Sequence, residues 1–347
     1  MPLIRLLTWF RQSWGRPWTE AKWAFAAMVV TMAIGGFFGL WILRRLSWVG
    51  DLVALALPAA FLGLSVVLLG LLVTRQAWLL DGAVLGLLVS ALLGIGLPRL
   101  PESTGRPTRS VLLAAVNLRF DSARPKAGAT SALALHADVL VVSELTKRTD
   151  RLLSQAYPYR VVNEEVLRTT NYTQGVYSKV PLEDTSEPAG LGGQALRVRV
   201  VGPEPFVLFA VHLPRPTLNY QGNYGMTSFA EHRTETERLD AMARGEVGPV
   251  VIAGDLNMSD RTRGYDILDE GRIDALRTGW AASTYVGGFE WELLMLRIDH
   301  IFIPGDWCTR GGHTVGLDGS DHHGVSAEIG PCSDAVSAGS TDRRDGG

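Results

Sequence analysis

Asn117, Glu144, His212, Asp255, Asn257, Asp299, Asp321 and His322 all stand at the mouths of short apolar runs in the second half of this 347-residue chain. VLLAAV runs into Asn117, ADVLVVS into Glu144 and FVLFAV into His212. PVVIAG leads to Asp255 and Asn257, Asp299 precedes the run IFI, and the last run is entered through GSDHHG, with Asp321 and His322. Carboxylates, amides and imidazoles are the groups that hold a hard cation or move a proton. Apolar runs of four to eight residues rich in Val, Ile, Leu and Phe read as buried strands. A buried strand has little reason to end in a carboxylate or a histidine unless chemistry is done there. One such ending is noise, whereas six, two of them in GDLN and SDH, define a site.

The elements that must position these residues follow from the same pattern. From residue 110 the order reads strand, helix over about 127–137, strand, helix over about 146–156, several strands, helix over about 228–244, then strand, loop and further strands. A mixed α/β pattern with many antiparallel connections fits two packed sheets flanked by helices.

The ordered motifs resemble the endonuclease/exonuclease/phosphatase superfamily, the Mg²⁺-dependent phosphoesterases typified by DNase I, abasic-site endonucleases, sphingomyelinases and inositol-polyphosphate phosphatases. The resemblance covers about residues 110–329. Asn117 in NL, Glu144 in SE, GVYSKVP at 175–181, His212 in HL, GDLN, RIDHIF and SDH come in the family's order. Two positions depart from the pattern: Ser143 replaces a frequent Gln, and Gly324 replaces a usual Pro. The fold implied is the four-layer α/β sandwich, with its site at one end of the two sheets. By the same resemblance Glu144 is the metal ligand, with Asn117 beside it and Asp321 contributing. Asp255 orients or deprotonates the attacking water, Asn257 donates to the phosphate, and His212 contacts the phosphate. His322 pairs with Asp299, which fixes its tautomer and leaves the other ring nitrogen for the phosphate. Tyr177 and Lys179 are weaker candidates. His300 adjoins Asp299 in a strand, so alternation turns it away from the site, to pack or face solvent. An oxygen-rich ligand set selects Mg²⁺ or Mn²⁺ over zinc.

Charge divides the chain. Residues 1–109 hold ten Lys/Arg against four Asp/Glu, a net of +6, and residues 110–347 hold 23 against 31, a net of −8. An acidic catalytic half with no basic cluster is a poor partner for nucleic acid, whose binding depends on Lys/Arg contacts to phosphates. The first half holds three uncharged or nearly uncharged runs, 23–43, 52–73 and 77–97, the last broken only by Asp81. Twenty-one helical residues span about 31 Å, the thickness of a bilayer core. Three transmembrane helices are therefore expected over 23–97, after a basic segment at 1–22. Basic residues on the two sides of three spans tie at five each, so the overall count leaves the orientation open; the flanks of the first run, four basic residues before and two after, tip the expectation to the N-terminus inside and the catalytic domain outside. Residues 98–109 read as a Pro/Ser/Thr/Arg tether, 110–330 as the catalytic domain and 331–347 as a disordered tail. Cys308 and Cys332 are either two free thiols or one disulfide, which would need an oxidising compartment.

Together these features point to a multi-pass membrane phosphatase with a lipid-linked phosphate substrate. The arrangement looks like actinomycete membrane proteins of the teicoplanin-resistance type, which implies undecaprenyl pyrophosphate, cell-wall metabolism and glycopeptide tolerance. An extracellular nuclease, a phospholipid phosphodiesterase and a catalytically silent binding protein on the same fold remain as alternatives.

Overall fold

The computed structural model describes residues 39, 42–43, 46–56, 105–191, 194–218, 225–278, 283–288 and 296–333. The three apolar runs, apart from a few residues, lie outside the described residues, as do 98–104 of the tether and 334–347 of the tail. Among the described residues no helix is long and apolar enough to cross a membrane. The chain divides into two compact units, Met1–Leu43 with Ala56–Pro98, and Arg44–Leu55 with Arg99–Gly347. The second unit carries every described strand and all of the candidate residues.

Six strands form one sheet, in the order β13 (Trp307–Gly316), β14 (His323–Pro331), β1 (Val111–Asn117), β2 (Val139–Leu145), β4 (Thr173–Ser178) and β3 (Tyr159–Val162). Six form another, β11 (Arg272–Asp274), β12 (Asp299–Pro304), β10 (Val250–Asp255), β7 (Phe206–His212), β6 (Gln194–Val200) and β5 (Leu182–Ser186). A short parallel pair, β8 (Arg215–Thr217) and β9 (Met226–Ser228), stands apart. Within the two large sheets only β1 with β2 and β7 with β10 run parallel. A parallel pair needs a crossover. Helix α2 (Pro125–Leu133) supplies the first and α5 (Phe229–Arg244) the second. Among the described residues the further α-helices include α1 (48–56), α3 (Lys147–Leu153), α4 (Glu164–Thr169) and α6 (Arg263–Asp269).

Helix bounds differ from the sequence expectation for local reasons. Pro125 starts α2 earlier, since its missing N–H costs nothing in the first turn. The helix stops before His136, whose φ of 52° is left-handed. Thr146 is the N-cap of α3 rather than its first residue, bonded reciprocally with Thr149. Ser228 caps α5 by accepting from the Glu231 amide at 3.1 Å.

Strand alternation builds the four layers. In β1, Val111, Leu113 and Ala115 join the core between the sheets, while Ala114 and Val116 join the core under α2 and α3. In β7, Phe206, Leu208 and Ala210 face the other sheet, and Val207, Phe209 and Val211 pack beneath α5 and α6. Each large apolar side chain withdrawn from water contributes roughly 1.5–3 kcal/mol. A one-residue slip would turn both sets over, so the register is pinned from both faces. The expected sandwich of helices, two sheets and helices is thereby formed.

The sheet edge settles the open question of the cysteines. Cys308 in β13 and Cys332 after β14 are bonded, with Cα atoms 4.8 Å apart. Pro107 pairs with Cys332, and the Ser333 amide donates to the Arg106 carbonyl at 3.0 Å. The fold therefore closes on residues that the sequence pattern assigned to tether and tail. The bridge closes a loop with a sequence separation of 24, which corresponds to about 3 kcal/mol in the chain-entropy account. Replacing both cysteines by Ala is expected to lower the urea-unfolding free energy by about that amount, and reductant should lower it equally in the native chain and not at all in the variant.

Candidate active site

The register sets four candidate residues in rows at one end of the sheets. Asp255 pairs with His212 on one side and with Asp299 on the other, so three adjacent strands end in functional groups. By alternation all three share the parity of Leu208, Ala253 and Ile301, which face the space between the sheets. Asn117 in the opposite sheet has the parity of Leu113 and Ala115 and meets them there. Gly254 makes the approach possible: its φ is +139°, and a Cβ would lie 2.0 Å from the Val211 carbonyl oxygen of β7. Any side chain at this position would push β10 from β7 and move Asp255.

Glu144 breaks the alternation. Its parity is that of Leu140 and Val142, which pack under the helices. The register between β2 and β4 shifts after Val142, and Glu144 takes a left-handed φ of 55°. The irregularity turns its carboxylate to the mouth between the sheets, the re-aiming for which strand bulges are used.

Asn117 ties the two sheets together. Its amide nitrogen donates to Glu144 Oε1 at 3.0 Å and to Asp255 Oδ2 at 2.9 Å, while its oxygen accepts from the Arg119 backbone amide at 2.9 Å. Glu144 Oε2 accepts from the Phe120 amide at 2.9 Å. His322 Nδ1 lies 2.9 Å from Asp299 Oδ2, and its Nε2 lies 3.8 Å from Asp255 Oδ2. His212 Nε2 approaches the same Asp255 oxygen at 3.7 Å. Asp255 is thus the hub, touched by an amide and faced by two imidazoles.

Burial by itself would lower the His322 pKa, but the facing Asp299 and Asp255 carboxylates outweigh it and push the ring up to about 10. Burial raises Asp299 above its usual carboxylate value, and the Asp255 charge adds to that, against the opposing pull of His322. The facing carboxylates therefore favour the protonated form of the His322 ring.

Residues 100–322 match the Endonuclease/Exonuclease/phosphatase family. The chain belongs to this family. Its fold is shared with solved structures at low identity. An endonuclease/exonuclease/phosphatase from Bacteroides vulgatus is 15% identical with a TM-score of 0.51, covering 64% of this chain and 99% of the other. One from Beutenbergia cavernae is 19% identical with a TM-score of 0.50, covering 65% and 72%. Humanized D. rerio TDP2 with 14 mutations is 18% identical with a TM-score of 0.52, covering 64% and 99%. No curated protein matches the chain in sequence. Members of the family are generally phosphoesterase or nuclease hydrolases and typically depend on a divalent metal.

The residues present fit such an ion. Glu144, Asp255 and Asp299 bring three carboxylates to one mouth, linked through Asn117 and His322. Asp299 Oδ1 is buried without a hydrogen-bond partner among the described residues. Asp255, Asp299 and His322 offer ligand atoms within 4.8 Å of one another. His322 is the weakest donor of the three, because one nitrogen is engaged by Asp299 and the ring holds its proton. Hard oxygen donors suit Mg²⁺, Mn²⁺ or Ca²⁺.

The other expected residues are placed as follows. Asp321 lies at the rim with Oδ2 3.8 Å from Arg119 Nη1. Asn257 takes a left-handed φ of 48°, donates its amide N–H to Asp255 Oδ1 at 3.0 Å and its side-chain nitrogen to the Leu213 carbonyl at 2.8 Å. Tyr177 is buried with its hydroxyl on Asp150 at 2.7 Å, and Lys179 binds the His136 carbonyl and Asp138, so neither joins the cluster. His300 packs behind the site, as alternation requires, bonded to the Met258 carbonyl at 2.9 Å.

Several neighbours escape sequence reasoning. Thr284 Oγ1 accepts from the amides of Ile298 and Asp299, and the Tyr285 ring stands edge-on to His322 at 5.2 Å. Phe120 stacks on Tyr172 at 4.5 Å, and Tyr172 tilts against His212 at 6.4 Å. All four lie in or beside loops with no periodic signal, and only the contact across the chain reveals them.

The His322 charge yields a linkage of definite sign. The folded pKa lies above the ordinary 6.5, so the stabilisation is complete below pH about 6.5 and is lost as pH rises through about 10. An NMR titration of the metal-free protein should show His322 still protonated at pH 8. In Asp299→Asn the same ring should titrate well below 10. Titration near 6.5 with Asp299 intact would mean that the pair does not form.

Proposed function

We propose that this family member is a membrane-anchored, divalent-metal-dependent phosphatase that cleaves a lipid-linked pyrophosphate. The observation that carries the hydrolase reading is the Asp255 hub, which brings a base, two imidazoles and the Glu144 carboxylate to one point. Glu144 would hold the ion, with Asn117 orienting the carboxylate and Asp321 at the rim. Bound there, a Mg²⁺ or Mn²⁺ ion would neutralise charge on the phosphoryl oxygens. Asp255 accepts a proton from the attacking water or orients it. Its charge is steadied by the Asn117 amide and by the Asn257 backbone N–H. His322, charged and fixed by Asp299, presents Nε2 as a donor to the developing phosphoryl charge. His212 offers a second ring nitrogen beside the same carboxylate.

One feature supports a diphosphate group over a simple monoester. A cleft of about 370 Å³ opens beside the site, lined by Arg119, Asp121, Ser122, Ala123, Arg124, Gly319 and Ser320. Arg124 suits the second phosphate of such a group, while Arg119 is held by Asp121 at 2.7 Å and would have to exchange that partner to join it. Two uncharged runs and a third broken only by Asp81 support a lipid carrier, since a site tethered to the bilayer gains effective concentration for a membrane-borne substrate. The net −8 of residues 110–347 disfavours nucleic acid. The disulfide supports an extracytoplasmic catalytic domain. Undecaprenyl pyrophosphate, and with it cell-wall metabolism and glycopeptide resistance, is the carrier that the domain arrangement suggests.

Phosphate release from undecaprenyl pyrophosphate, sphingomyelin, inositol phosphates and DNA tests the reading. Turnover of the lipid pyrophosphate should require Mg²⁺ or Mn²⁺ and vanish in EDTA. Asp255→Ala and His322→Gln should each lower turnover by at least ~10²-fold while melting cooperatively. Strong DNA cleavage that falls steeply with salt, without lipid turnover, would replace this reading by a nuclease.

A further inference from the structure

Helix α1 lies far in sequence from the strands yet belongs to their compact unit. Its residue Asp51 is buried, with 5% exposure. Asp51 Oδ2 accepts from Arg233 Nη2 of α5 at 2.7 Å, and Oδ1 accepts from the Arg263 amide at the start of α6 at 2.6 Å. Arg233 Nη2 also donates to the Ser47 carbonyl, and Arg261 Nε donates to the Ala54 carbonyl at 3.2 Å. Trp48 stacks on Phe229 with centroids 5.9 Å apart. These contacts reach the catalytic loop. Arg261 and Arg263 follow Asn257 by four and six residues, and His232 of α5 bonds the Leu256 carbonyl through Nε2 at 3.0 Å.

The burial of this segment has the helical period. Gly50, Asp51 and Ala54 are buried against the domain, while Leu46, Val49 and Val53 are exposed at 79%, 38% and 41%. Asp51 is the only charged residue in 46–56, and it is turned inward. A helix facing water carries polar groups on its outer side. This one carries Leu and Val, and uncharged runs adjoin it in sequence, 23–43 before and 52–73 from within. That continuity identifies the occupant of the outer face as the interfacial layer of a lipid bilayer.

We propose that residues 46–56 form a two-faced clasp, locked through Asp51 to α5, α6 and the loop after GDLN, with Leu46, Val49 and Val53 set into the bilayer surface. The clasp holds the catalytic mouth at the membrane and makes residues 46–56 part of the catalytic domain. It rests on the membrane reading above. With three spans, residues 44–51 between the first two runs lie on the same side as the catalytic domain, and the clasp takes the opening residues 52–56 of the second run, leaving 57–73 to cross.

The test uses the full chain, whose two cysteines are bridged, so an introduced cysteine is the sole thiol. Val49→Cys, Val53→Cys and, as a control on edge strand β5, Glu183→Cys are labelled with a polarity-sensitive fluorophore. Each is reconstituted in phosphatidylcholine–phosphatidylglycerol vesicles containing brominated lipid. Labels at 49 and 53 should be quenched several-fold more than the label at 183. Hydrogen exchange should then show the Arg263 amide exchanging at least ten-fold faster in Asp51→Ala, with β10 unchanged. Asp51→Asn, which keeps an acceptor for that amide, should show a smaller change. If Asp51→Ala does not fold, the Asp51→Asn exchange at Arg263 decides alone.

Unquenched labels in a membrane-embedded chain would overturn the clasp, whether water or a second copy covers the face. Unchanged Arg263 exchange in folded Asp51 variants would overturn the lock. A chain that partitions into the soluble fraction would fail the membrane reading itself, and the clasp with it.

Discussion

Asp255 and Asp299 end neighbouring strands with their side chains on the same face, and two carboxylates buried side by side repel strongly in a poorly hydrated space. The fold tolerates them because an imidazolium stands between them and an amide binds one of them from the opposite sheet. Removing one member of such a buried charged set costs about 3–5 kcal/mol, because the partner remains buried and uncompensated. The same arrangement leaves an excess of negative charge once Glu144 is counted. A structure that holds carboxylates together in this way is poised for a cation and for an anionic substrate bound through it.

The surrounding backbone is shaped to keep that set in place. Gly254 lets β10 approach β7 more closely than any residue with a Cβ could, and the following residue is the hub carboxylate. Glu144 and Asn257 both adopt left-handed conformations, one turning a carboxylate inward, the other folding its amide back on Asp255. Non-glycine residues in that region carry strain, which persists where the surrounding contacts over-determine it. Here those contacts are the bonds from Asn117 and Phe120 to Glu144 and from Asn257 to Leu213.

Behind the mouth a second polar network supports the catalytic loop. Burial alone would raise the Asp274 carboxyl, but the Arg297 guanidinium, together with the His300 ring hydrogen-bonded to that carboxyl, drives it well below the usual range. Arg297 also reaches Asp260, and His300 binds the Met258 carbonyl, so two residues just past Asn257 are held from below. From the other side α1 reaches Arg261 and Arg263. The loop carrying Asp255 and Asn257 is therefore clamped between a buried ion network and a segment that sequence places next to apolar runs.

The strand-end groups were legible in the amino-acid sequence because period-two alternation and local spacing encode them, and the family was legible through the resemblance that its ordered motifs carry. Asn117, His212, Asp255 and Asp299 follow that alternation into the space between the sheets. Glu144 does not, since alternation would send it under the helices and only a register shift against β4 turns it inward. The Cys308–Cys332 bond, the Tyr285–His322 contact and the Asp51–Arg233 lock likewise depend on long-range approach, the last across 182 residues. Local sequence determines which groups stand at strand ends. Only tertiary packing decides which of those groups meet, because the distances between them are set by two sheets pressing on a shared core.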